Sequence, residues 1–124
     1  MCYSIEINHN LRIISYKHSG RIGKNDIRYA WEKISNLPEF TEKGYNLLTD
    51  YRKGIFNFSL HDIDSIKIFL EEIKVNLYGK KNAVIVDKPK ECAFSMLIGM
   101  NKTQEMNFHV ELFSTEEAAL KFLK

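Results

Sequence analysis

Residues that cross-link or interrupt a chain are scarce here: the 124 residues include two cysteines, two prolines, six glycines and one tryptophan. Cys2 and Cys92 form no C-x-x-C, so neither a disulfide framework nor a cysteine-built zinc site is suggested, and free thiols are expected. An excess of one charge is also lacking. Lys+Arg number 18 against 16 Asp+Glu, a net charge of +2, which excludes a nucleic-acid binder recognisable by bulk charge. No run approaches the ~18 apolar residues of a membrane-spanning helix. The opening Met1-Cys2-Tyr3-Ser4-Ile5-Glu6 has neither the basic start nor the apolar core of a signal peptide. A cytoplasmic protein without a transmembrane segment is the expectation.

What is present suits a globular domain. Hydrophobic residues make up 44% and charged residues 27%, a balance able to bury a core. A 14.5 kDa chain buries roughly two-thirds of its unfolded surface on area scaling. With no linker, repeat or low-complexity tract, residues 1–124 read as a single domain.

Tyr3, Ile5 and Ile7 alternate with polar residues, as in a strand with one wet face. Asn8-His9-Asn10 is a turn cluster, and alternation resumes from Leu11 to His18, which completes a hairpin. Ser19-Gly20-Arg21-Ile22-Gly23 reads as a break before a helix from Asn25 carrying Ile27, Ala30, Trp31 and Ile34, closed at Leu37-Pro38. Tyr45–Asp50 is a short strand and Tyr51–Asn57 a loop of aromatic and basic residues. Ser59-Leu60-His61-Asp62 resembles a capping box, opening a long helix through Ile63, Ile66, Leu70, Ile73 and Leu77 that Gly79 terminates. Ala83–Val86 is a strand covered on both faces. Pro89 starts a helix whose expected core face is Ala93, Met96, Leu97 and Met100, with Met106 beside it. Phe108, Val110 and Leu112 form the last strand, and Ser114-Thr115-Glu116-Glu117 opens a final helix. The order ββαβαβαβα predicts an α/β fold with a mixed, mostly parallel sheet whose first strand is antiparallel.

Three stretches resemble the SpoIIAA-like group of STAS-related proteins, small bacterial α/β domains. They are Tyr45-Asn46-Leu47-Leu48-Thr49-Asp50-Tyr51-Arg52, Asn82-Ala83-Val84-Ile85-Val86-Asp87, and the ending from Val110 to Leu123. The resemblance covers nearly the whole chain and implies a sheet of sequential strands with connecting helices. In the best-understood branch of that superfamily, phosphorylation of a serine at a helix start switches protein partners. Ser59 stands at an equivalent helix start. The Asp-Ser-Ser-Gly type turn of that branch is replaced here by Arg52-Lys53-Gly54-Ile55-Phe56-Asn57-Phe58-Ser59. The related CRAL-TRIO lipid-binding lobe implies an apolar ligand pocket as a further expectation.

The candidate site gathers where the strands end, since open parallel sheets bind ligands beyond their carboxyl ends. Asp50 and Asp87 each close a strand, and Arg52 could grip an anion in bidentate fashion. The alternative is that the two carboxylates cap backbone amides while Arg52 pairs with one of them. Tyr51, Phe56 and Phe58 read as exposed loop aromatics that mark an interface or pocket wall. Ser59 is a candidate phosphoacceptor at a helix N-terminus, or simply an N-cap.

The remaining motifs are weaker. Gly20-Arg21-Ile22-Gly23-Lys24-Asn25 lacks the spacing and hydroxyl of a phosphate loop. His61-Asp62 and His109-Val110-Glu111 show no zinc-ligand spacing, and Cys92 has no recognisable catalytic partner. No metal, cofactor or catalytic residue is assigned.

Three functions follow. The first is a non-enzymatic regulatory or ligand-binding domain that recognises a protein partner or a small apolar or anionic ligand through Asp50, Tyr51, Arg52, Phe56, Phe58 and Asp87. The second is a partner switch at Ser59, and the third an enzyme with Asp50 or Asp87 as general base. An uncovered sheet face or edge makes a homodimer an expectation of the architecture.

Overall fold

The computed structural model describes residues 2–99 and 107–124. Among the described residues, a six-stranded sheet forms the middle layer. Strands β1 (Cys2–Asn8), β2 (Ile13–Ile22), β3 (Asn46–Asp50), β5 (Lys81–Ile85) and β6 (His109–Phe113) lie side by side in that order. Short β4 (Gly54–Phe56) pairs with the far end of β2. Only the β1–β2 hairpin is antiparallel; β2–β3, β2–β4, β3–β5 and β5–β6 are parallel. The expected class, mostly parallel sheet and antiparallel hairpin therefore hold.

Alternation along the strands divides the core in two. Ile14, Tyr16, Leu47, Val84 and Phe108 face α1 (Lys24–Ile34) and α3 (Leu60–Glu72), with α5 (Pro89–Gly99) packed at their side. Ile13, Leu48, Ala83 and Ile85 face the opposite way, onto Ala119 and Leu123 of α6 (Glu116–Leu123). Since α6 packs on β3, β5 and β6, no helix among the described residues covers the polar side of the hairpin, with Ser4, Glu6 and Lys17. Two short helices complete the chain, α2 (Pro38–Thr41) and α4 (Lys74–Leu77). No helix among the described residues is long and apolar enough to cross a membrane.

The structure departs from the sequence reading at several points. Strand β2 does not break at Ser19; it runs through Gly20, whose φ of +72° a glycine adopts freely, as far as Ile22. That extension gives β4 a partner, so part of the expected 51–57 loop is a strand. Gly54 is required there, because a Cβ would lie 2.4 Å from Cδ1 of buried Ile22 and 3.2 Å from the carbonyl oxygen of His18. Leu37-Pro38 ends α1, but Pro38 then opens α2. The long helix is interrupted at Ile73, before α4, and Gly79 follows in the left-handed region at φ +76°.

Helix α5 is rotated from its expected orientation. Glu91 and Ser95 are buried, with Phe94 and Ile98 half-buried, while Ala93, Met96 and Leu97 face solvent. Its apolar residues fall on every side, so periodicity does not fix the buried side. Met100 and Met106 lie outside the described residues.

Candidate functional site

Strand parity divides the predicted set of site residues. As β3 ends, Thr49 and Tyr51 point to the helical layer, while Asp50 and Arg52 lie at the groove on the polar side. Asp50 Oδ1 accepts from the Arg52 backbone N–H and from Nε, each at 3.0 Å, and Oδ2 accepts from Nη2 at 2.7 Å. Burial favours the neutral form of Asp50, but the hydrogen bonds from Arg52, its charge and that of Lys17 outweigh this and hold the carboxyl below the usual range. Asp50 in turn raises the Arg52 pKa, with Glu116 and Asp87 adding smaller contributions.

This pair forms part of the wall of an open groove of about 450 Å³. Lys17 and Lys53 also line it, so among the described residues three cations face one carboxylate, with Cys2, Ser4 and Ser19 contributed by the hairpin. Asp50 engages Nε and Nη2 of Arg52, which leaves Nη1 outside that pair. Asp87 is exposed 3.6 Å from Lys88 Nζ, and that Nζ donates to the Arg52 carbonyl. Asp50 and Asp87 thus lie near adjacent strand ends, each with a cationic neighbour.

Tyr51, Phe56 and Phe58 belong to the other side of the sheet. Tyr51 is 7% and Phe56 1% exposed, which corrects the expectation of exposed loop aromatics; Phe58 is half-buried. Their rings form a packed series, with centroids 5.0 Å apart from Tyr51 to Phe56, 5.0 Å from Phe56 to Phe58 and 5.6 Å from Phe58 to Phe94. Tyr51 and Phe56 also help to enclose a cavity of about 60 Å³ beneath the helices. That is well short of the ~150 Å³ that takes a benzene ring, so a lipid chain does not fit it.

Sequence similarity to known proteins is absent at the level of families: no family model and no curated protein matches the chain. Solved structures do match. One is an uncharacterised DUF3478-family protein with a SpoIIAA-like fold from Shewanella loihica PV-4, at 16% identity and a TM-score of 0.61, covering 99% of this chain and 93% of that one. Another is the anti-sigma factor antagonist SpoIIAA in its unphosphorylated form, at 12% identity and a TM-score of 0.52, covering 98% and 96%. This is a SpoIIAA-like fold.

On the SpoIIAA-like sheet, Ser59 is exposed at the N-cap of α3. Its Oγ accepts from the Asp62 N–H at 3.3 Å and donates to Asp62 Oδ2 at 3.2 Å, and that carboxylate also accepts the Ser59 N–H at 2.9 Å. Asp thus closes the capping box in place of Glu or Gln.

The sequence reading did not pick out Lys17 and Lys53, nor the buried groups Tyr16, His18 and Ser95. Tyr16 Oη and His18 Nδ1 are 2.5 Å apart, and burial pushes the Tyr16 hydroxyl pKa up and that of the His18 imidazole down. The Tyr16–His18 spacing of two, read in a strand, was the available signal that both share a face. Lys17 between them then falls on the groove side.

Proposed function

We propose that this chain is a non-enzymatic ligand-binding domain of regulatory type, whose groove beside the Asp50–Arg52 pair takes an anionic group carried by a small molecule or an acidic protein segment. The observation behind this is the charge of the groove, with Lys17, Arg52 and Lys53 around the single carboxylate of Asp50. Arg52 is already oriented by Asp50, so little of its side-chain freedom remains to be lost on binding. Lys17 and Lys53 supply less directional charge. A general base needs a pKa near the working pH, whereas Asp50 is shifted in the opposite direction; this favours binding over catalysis. An anti-sigma factor antagonist of the same fold makes a protein partner a natural carrier of the anionic group.

The test begins with native mass spectrometry of freshly purified protein, followed by NMR titration with inorganic phosphate and with a Glu-rich peptide. Saturable shifts at Lys17, Arg52 and Lys53 that disappear in Arg52→Ala/Lys53→Ala, with thermal stability little changed, are expected. Shifts spread over all surface lysines would overturn the reading. The same mass spectra report whether a homodimer forms.

A second reading is a phosphorylation switch at Ser59, favoured by its exposure at the start of a 13-residue helix on a fold shared with SpoIIAA. Incubation with lysate and ATP followed by intact-mass measurement tests it. A phosphate adduct that maps away from Ser59 would count against it.

A further inference from the structure

The cavity beneath the helices lies on the opposite side of the sheet from the groove and is independent of the reading given to it. Trp31, Tyr51, Phe56 and Phe108 supply much of its apolar wall, and no Asp, Glu, Lys, Arg or His among the described residues lines it. An ion would be stripped of water there with no countercharge, at a cost of several kcal/mol. The guest such a space takes is therefore neutral.

The wall is not wholly apolar. Ser95 on α5 is 8% exposed, and its buried Oγ has no hydrogen-bond partner. Thr49 and Asn82, on adjacent strands, line the same space, and Thr49 Oγ1 donates to Asn82 Oδ1 at 2.8 Å. A buried hydroxyl left without a partner is unfavourable, and native structures usually satisfy such groups with protein or ordered water. The volume sets the upper limit on size. About 60 Å³ exceeds the ~10–15 Å³ that one water needs and falls short of the ~150 Å³ that takes a benzene ring.

From these observations we infer that the cavity is an internal binding site for a neutral hydroxyl-bearing guest, water or a short alcohol, held by the Ser95 hydroxyl. The guest donates to or accepts from Ser95 Oγ and rests its remaining surface on the aromatic wall. Water and alcohol share that chemistry, and the experiment separates them.

Protein with ¹³C-labelled Ile, Leu and Val methyls is used in three conditions: in water, titrated with ethanol, and under xenon pressure. A resident water gives nuclear Overhauser cross-peaks from the water line to the methyls of Ile66, Val84 and Ile98, and these are lost in Ser95→Ala. An alcohol site gives saturable ethanol shifts confined to the same methyls, also lost in Ser95→Ala. Ser95→Cys, which keeps most of the volume but only a weak hydrogen-bonding group, should weaken either signal and serves if the alanine variant unfolds. Xenon shifts at these methyls without water or ethanol contact would identify a dry void and overturn the inference. Cross-peaks that survive unchanged in both variants would overturn it as well, because the guest would not depend on the Ser95 hydroxyl.

Discussion

Asp50 accepts three hydrogen bonds from Arg52, two residues further along the chain. The backbone bond fixes the turn that ends β3, and the two guanidinium bonds fix the side chain that leaves it. One carboxylate therefore both terminates the strand and positions the cation beside the groove.

Asp50→Asn should make stability less dependent on pH in acid. The folded-state pKa of Asp50 lies below its ordinary value, near 3.9 in an unfolded chain. Between those values the unfolded state binds more protons, so this contribution is present above about pH 3.9 and is lost as pH falls through the folded value. Urea midpoints measured across the acid range check it. A slope in Asp50→Asn equal to that of the parent would show that Arg52 does not hold the carboxylate. The same substitution raises the net charge of the groove, and phosphate affinity is expected to rise by a few-fold.

The reach of the sequence reading follows from what each pattern encodes. Period-two alternation in Tyr3-Ser4-Ile5-Glu6-Ile7 and the apolar run Ala83–Val86 fixed strands, faces and the largely parallel sheet. The same parity, applied past Asp50, would have separated Tyr51 from Arg52; treating Tyr51–Asn57 as a loop hid this. Strand β4 was illegible because three residues carry almost no periodicity, and its existence depends on β2 running past Gly20 to pair with it. The buried side of α5 was illegible for a different reason. Met96 and Leu97 are as apolar as the half-buried Phe94 and Ile98, while the buried Glu91 and Ser95 are polar, so packing and not hydropathy decides between the sides. The acid–base partners were half visible: Asp50 and Arg52 lie two apart in sequence, but Lys17 reaches them only through strand pairing.

His18→Phe should flatten the stability profile below about pH 6.5, a limit set by the ordinary histidine pKa. Burial lowers the folded-state value, partly opposed by the Asp26 carboxylate on α1, with Tyr16 and Tyr3 as its ring neighbours. The unfolded chain then binds the proton more readily, so stability contributed by neutral His18 is present above about 6.5 and declines as pH falls towards the folded value. His18 Nε2 has no partner, but Nδ1 is bonded to the buried Tyr16 hydroxyl, so the variant should also lose about 1–3 kcal/mol at neutral pH. Melting temperatures across that range check both points. An unchanged slope in the variant would place the titration elsewhere.

Ser59→Ala should lower stability by about 1 kcal/mol, the usual cost of an N-cap, measured from urea unfolding. Its consequence for modification is specific. Asp62 Oδ2 lies 3.2 Å from Ser59 Oγ, so a negative group at position 59 meets a carboxylate already engaged there. Ser59→Glu is expected to destabilise α3, and adding Asp62→Asn to recover part of the loss. No recovery in the double variant would mean that the two charges do not oppose one another.

Glu91 links α5 to β4. It is 4% exposed, and its Oε2 accepts the Phe56 N–H at 3.0 Å, so a helix side chain takes the place of a strand along β4. Glu91→Ala leaves that N–H buried and unpaired, at a cost of about 1–3 kcal/mol, whereas Glu91→Gln retains an acceptor and should cost less. Amide exchange at Phe56 is the direct readout, faster in Glu91→Ala and near the parent rate in Glu91→Gln. Because Gly20 donates to the Lys53 carbonyl beside this strand, loosening β4 also releases Lys53, and phosphate binding in the groove should weaken with it. Unchanged protection of Phe56 in Glu91→Ala would show that β4 is held by its pairing with β2 alone.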